Sequence, residues 1–150
     1  MLVSLLLAAA ASAACGLELR GFPDGNVLAR VALADGAFAL RYTHSVTLRP
    51  IESRYEIRAG RIVQTAETFD QHGPGMATEP LAGERLDTVR DAAGVRYVMT
   101  MQRPIARMIV RVQALPAQTL VVNAEALELM RFGERALELK PDCGGRKESR

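Results

Sequence analysis

The chain of 150 residues contains no tryptophan, and aromatic residues make up only 5% of it. Its formal charge is +2 and the basic residues are dispersed. Nucleic-acid binding draws on a basic stripe interleaved with stacking rings, so that class is excluded. There are two cysteines and two histidines. No CxxC pair, no HExxH and no GxSxG occurs, which removes the familiar redox, zinc and nucleophile-elbow signatures. Also missing is an apolar run of the roughly 20 residues that a membrane-crossing helix needs. No sustained helical period and no internal repeat stand out.

What is present is an ordinary globular composition, 49% hydrophobic and 24% charged, in a length that favours one domain with a real core. The first 13 residues, Met1 to Ala13, carry no charged side chain and end in Ala11-Ser12-Ala13. That small-x-small ending reads as a secretory signal peptide. It leaves residues 14–142 as a single β domain and residues 143–150 as a flexible polar tail. Cys15 stands just beyond the signal and Cys143 near the far end. An even pair in an oxidising compartment readily forms a disulfide, but Ser12-Ala13-Ala14-Cys15 also approaches a lipobox, so a disulfide, a lipid anchor at Cys15 and free thiols all stay open. The expected location is periplasmic or exported, with no membrane span in the mature chain.

Apolar residues alternate with polar ones in short runs punctuated by turns, which predicts an all-β fold, a compact antiparallel β-sandwich or a partly closed barrel. An Asp35-Gly36 hairpin would set Leu33 opposite Phe38, Val31 opposite Leu40 and Val27 opposite His44, with His44 on the apolar face. A second hairpin turning at Ala59-Gly60 would pair Arg58 with Arg61, Ile57 with Ile62, Tyr55 with Gln64 and Glu52 with Glu67. The first and last pairs set like charges against each other, which is unfavourable unless solvent, an Arg or a cation intervenes or the turn is one residue longer. Pro104 is expected to end a strand. Leu127 and Leu129 are expected to form a hairpin with Leu137 and Leu139 through Phe132-Gly133-Glu134. If Leu19 lies beside Leu139, Cys15 and Cys143 come level.

Candidate chemistry is concentrated between residues 42 and 76. On a strand, His44 and Ser45 would point to opposite faces, so they cannot act directly as base and nucleophile. His44, Glu52, Glu67 and His72 lie near the ends of two neighbouring hairpins, and imidazole with carboxylate is a donor set for zinc or another transition metal. A histidine on an apolar strand face is nevertheless more often hydrogen-bonded than metallated. Met99, Met101 and Met108 follow strand periodicity and read as core, not as a soft-metal site. Residues 71–84 form a polar connection longer than usual, with a sharp turn at Gly73-Pro74-Gly75, and long connections often carry function.

Tyr42-Thr43-His44-Ser45-Val46, followed by Pro50-Ile51-Glu52 and Tyr55, resembles an uncharacterised bacterial family, number eighteen-fifty among the domains of unknown function. Its members look like small exported proteins with a YTHSV-like strand and a later Phe-x-x-x-Gly-x-Gly-Met-like loop, here Phe69 to Met76. The family is typically encoded beside TAXI-type tripartite (TRAP) transporters. Ser53 stands where a second Glu is common, and Thr47-Leu48-Arg49 replaces a different polar spacer. The family has no established activity, so the resemblance implies setting and not mechanism; the leading expectation is a periplasmic, non-catalytic accessory or binding protein linked to solute uptake, with His44, Ser45, Glu52, His72, Gly73 and Gly75 as the ligand or partner site and no cofactor. Its partners would be transporter components or a small solute, anionic or metal-bound. Two other readings are a metal-dependent enzyme using His44, His72 and a carboxylate, and a purely structural envelope protein.

Overall fold

Alternating apolar residues fold into strands throughout the computed structural model, which describes residues 15–114 and 116–144. In order they are β1 (Gly16–Gly21), β2 (Val27–Val31), β3 (Ala37–Thr43), β4 (Pro50–Arg58), β5 (Arg61–Phe69), β6 (Arg85–Asp91), β7 (Gly94–Ile105), β8 (Met108–Arg111), β9 (Thr119–Val122), β10 (Glu125–Glu128) and β11 (Ala136–Asp142), with a short 3-10 helix at Leu129–Phe132. The segment Met1 to Ala13 that reads as a signal peptide, and the residues beyond Gly144, lie outside the described residues.

The strands make two antiparallel sheets, a smaller one in the order β2-β1-β11-β8 and a larger one in the order β10-β9-β3-β4-β5-β7-β6. Leu17, Leu19, Leu137 and Leu139 of the small sheet are sealed against Phe38, Leu40, Ile62 and Leu120 of the large one. Each such side chain contributes about 1.5–3 kcal/mol relative to exposure. Both sheets keep open edges, so the architecture is a sandwich and not a closed barrel.

The large sheet is wider than the small one. Its surplus is covered by the 71–84 connection, whose Met76 and Ala77 pack on a second cluster formed by Ile51, Phe69, Met99 and Met101. The polar loop thus doubles as a partial second layer, and the site lies beneath it.

The first and last strands meet as their residues allow. Leu19 is level with Leu139 across β1 and β11, and Cys15 is disulfide-bonded to Cys143 over a sequence separation of 128. Among the described residues no cysteine is free.

Other expectations are corrected. Asp35-Gly36 does not close a hairpin, because β2 pairs with β1 while β3 pairs with β4 and β9. The dipeptide carries the chain from one sheet to the other, with Gly36 at φ +73°. Arg58↔Arg61, Ile57↔Ile62 and Tyr55↔Gln64 are as expected, but a bulge at Thr65 then shifts the ladder so that Glu67 faces Ser53 and Glu52 faces Thr68. That extra residue separates Glu52 from Glu67, while Arg58 still faces Arg61. Pro104 does not end its strand. It pairs with Val63 beyond Thr100, the last β7 position that β6 covers, so its missing N–H falls on an uncovered edge. Finally, β10 pairs with β9 through Asn123 and Ala124, both at positive φ, and β11 belongs to the other sheet.

Candidate functional site

His44 does not lie on a strand. β3 ends at Thr43, and His44 opens the turn that leads to β4. Its ring is half-buried and held at both nitrogens. Nδ1 accepts the backbone N–H groups of Val46 and Thr47, each at 3.2 Å. Two donors on one nitrogen require that atom to be unprotonated, so Nε2 carries the hydrogen and donates to the Pro74 carbonyl at 3.0 Å. The imidazole is therefore a neutral staple between the β3–β4 turn and the 71–84 loop. Gly73 packs so tightly against it that a Cβ would sit 2.9 Å from His44 Cε1 and 2.8 Å from Thr47 Cγ2. This close approach, and not a special φ, is what demands glycine there.

Ion pairs fix both ends of the same loop. Asp70 is gripped in a bidentate fork by Arg49, with Nε at 3.1 Å from each oxygen, and this holds its carboxyl below the usual range. At the far end Arg103 makes a second fork to Glu84, at 2.6 and 2.7 Å. Arg103, followed by the Leu81 amide, holds the Glu84 carboxyl low. A loop tied at three points is a wall more than a flap.

Beneath that wall is a cavity of about 240 Å³, lined among others by Tyr42, Glu67, Met76, Met99, Met101 and Arg103. Its polar floor is Tyr42 on β3 and Glu67 on β5, and residues behind the lining on β4 and β5 hold Glu67 in place. Ser53, 2% exposed, donates its hydroxyl to Glu67 Oε2 at 3.2 Å, and the Gln64 amide donates to the same oxygen at 3.3 Å. Among the described residues no donor reaches Glu67 Oε1, and that oxygen is not a sealed orphan. Burial pushes the Tyr55 phenol up to about 12, with Glu67 adding to the rise and Ser53 opposing it. Tyr42 is raised for the same reasons, burial first. Its ring also borders a second cavity of about 300 Å³ beside the free edge of β8.

The sequence-derived candidates do not all meet here. His44 and Gly75 line the cavity, whereas Gly73 is wedged against the His44 ring. Ser45 is exposed on the turn. Glu52 follows Ile51 on β4 and points to the opposite face, where Arg41 at 2.6 Å and Arg54 at 2.8 Å bracket it. Burial alone would raise the Glu52 carboxyl, and the two arginines more than offset that. His72 packs between Phe69 and Tyr97, with ring centroids at 4.8 and 5.0 Å. Its Nδ1 is buried and, among the described residues, unpartnered. The proposed metal set of His44, Glu52, Glu67 and His72 is therefore dispersed, and no three His, Cys, Asp or Glu side chains among the described residues converge as ligands.

Ser53, Tyr42, Tyr55 and Arg103 are the site residues that the sequence reading did not select. Tyr42 and Tyr55 stood inside the quoted motif, and period-2 alternation from Ile51 would have placed Ser53 and Tyr55 on one inward face. Nothing local marks Arg103, whose partner Glu84 is 19 positions away.

No helix among the described residues is long and apolar enough to cross a membrane. No curated protein and no solved structure matches the chain. A family model does match over residues 38–129, which spans β3 to the start of the 3-10 helix and includes every residue of the cavity floor. The chain belongs to that family, described as Domain of unknown function (DUF1850).

Proposed function

We propose that this chain is an exported, non-catalytic binding module that assists solute uptake by a TAXI-type TRAP transporter, with the recess under the 71–84 loop as its ligand seat. The observation that carries this reading is Glu67, which lines the recess and whose Oε2 is fixed by Ser53 and Gln64 while Oε1 has no donor among the described residues. Binding sites set fixed polar groups beside apolar walls, and here Glu67, Arg103 and His44 share the recess with Ile51, Phe69 and three methionines. The rigid loop supports it further, since a pre-formed wall costs no ordering when a ligand enters. Export is supported by the Cys15–Cys143 disulfide, which suits an oxidising compartment, and the transporter link rests on the family resemblance.

A non-catalytic role is supported by the state of the imidazoles. Both His44 nitrogens are engaged by backbone groups, and the His72 ring is packed between aromatic neighbours. Neither is placed as a general base over the cavity.

The test is genetic and biochemical together. Deleting the gene should impair transporter-dependent uptake, and the wild-type chain should restore it. Ala77→Phe, which fills the recess from the loop side, should fail to restore uptake while remaining folded and exported. Uptake unaffected by the deletion would contradict the transporter role, and full rescue by Ala77→Phe would contradict the seat.

A further inference from the structure

We infer that the recess selects a small organic cation, a primary ammonium on a short apolar body, with Glu67 as the counter-charge. This rests on the reading of the recess as a ligand seat, and it reverses the sign of the solute expected from the sequence.

Charge accounting gives the sign. Glu67 and Arg103 line the cavity, but the Arg103 guanidinium is committed to both oxygens of Glu84, at 2.6 and 2.7 Å. Counting Glu84, which lies outside the lining but neutralises Arg103, two carboxylates share one guanidinium and leave a net negative balance around the recess. His44 adds no positive charge, because its doubly accepting Nδ1 fixes the neutral ring. An anionic solute would meet Glu67 at close range and find the Nε and Nη2 donors of Arg103 already engaged by Glu84, a like-charge arrangement that disfavours both ions. An ammonium would meet Glu67 Oε1, the acceptor that nothing else uses among the described residues.

Shape and polarisability give the rest. Met76, Met99 and Met101 line the recess, and methionine side chains adapt to alkyl groups of varied outline. Tyr42 lines the same recess, and aromatic rings attract cations. A volume of about 240 Å³ corresponds to about eight waters at roughly 30 Å³ each, which sets the ligand at a few carbons with one head group.

Calorimetry on the full chain at low ionic strength tests this with three probes of equal length: n-butylammonium chloride, sodium butyrate and n-butanol. Butylammonium should bind at least about tenfold more tightly than the other two, and Glu67→Gln should abolish that preference, as expected for a close charge pair. Glutamine can still accept from Ser53 and Gln64, so the variant should keep its fold. Glu67→Asp, which retains the charge, should retain a weakened preference and provides a second reading if Glu67→Gln unfolds. Butyrate or butanol binding as well as butylammonium would overturn the cation assignment and leave the seat standing. A preference that survives Glu67→Gln would overturn Glu67 as the counter-charge. Absence of binding by all three would overturn the seat and the inference together.

Discussion

Ser53 and Glu67 face each other across the β4–β5 ladder, and the buried serine hydroxyl donates to the carboxylate at 3.2 Å. This contact exists because the bulge at Thr65 moves Glu67 away from Glu52 and onto the inner face. A hydrogen bond to a charged group contributes about 1.5–3 kcal/mol, part of which water recovers in a solvent-connected recess. Ser53→Ala should therefore lower stability by about 1–2 kcal/mol in urea unfolding. It should also weaken ligand binding, because Glu67 is then held by Gln64 alone. A variant as stable as the wild type, binding equally well, would show that Ser53 does not position the carboxylate.

His44 and Gly73 should be energetically coupled. His44→Ala removes one acceptor of two backbone N–H groups and one donor to Pro74, and should cost about 1–3 kcal/mol. It should also speed amide exchange in residues 71–78. Gly73→Ala forces its Cβ to 2.9 Å from the His44 ring and should cost about 1–3 kcal/mol through overpacking. In the double variant part of that clash is gone, so the two losses should fall short of their sum by at least about 0.5 kcal/mol. Strict additivity in the cycle would mean that the ring does not pack against the glycine.

The phenols predict weakening of the fold in alkali. The folded chain keeps the Tyr55 proton up to about pH 12, whereas an ordinary phenol loses it near 10.0. Stability is thus full below the lower value and declines as the pH rises between the two. At about 1.4 kcal/mol per pH unit the loss approaches 2–3 kcal/mol. Tyr55→Phe should flatten this slope in denaturation curves taken across that range, leaving the smaller part due to Tyr42. A slope unchanged by the substitution would mean that Tyr55 is not the buried group responsible.

The disulfide joining Cys15 to Cys143 encloses almost the whole β domain, with a separation of 128. In the chain-entropy account a loop of that size contributes about 4–5 kcal/mol, a large share of a domain's stability. Reduction, or Cys15→Ser with Cys143→Ser, should shift the unfolding midpoint accordingly. The shift should be seen with an unchanged ligand affinity, because the bond lies at the β1–β11 end and contributes nothing to the cavity lining.

How much of this could be read from residues alone follows from range. Inward alternation identified the leucines of β1 and β11, and the equal distances from Leu19 and Leu139 outward brought the cysteines level. The Ala59-Gly60 turn fixed the first rungs of its hairpin. Asp35-Gly36 has the same local chemistry but joins different sheets, since a turn dipeptide says nothing about which strand its neighbours will pair with. The bulge at Thr65 escaped for a similar reason: one unpaired residue leaves no compositional mark, yet it decides whether Glu52 or Ser53 faces Glu67. His44 was chosen for its chemistry and turned out to staple a loop. Arg103 and Glu84 were passed over because only folding brings them together.

The most direct measurement is a titration of methionine methyl groups by nuclear magnetic resonance, with n-butylammonium added to the intact protein. Met76, Met99 and Met101 line the recess, Met108 belongs to the core between the sheets and Met130 is 43% exposed on the surface. The account predicts that the first three methyl signals shift together in a saturable way while Met130 stays fixed, and that Glu67→Gln suppresses the response. Shifts confined to Met130 or Met108, or no saturable shift at Met76, Met99 and Met101, would contradict it.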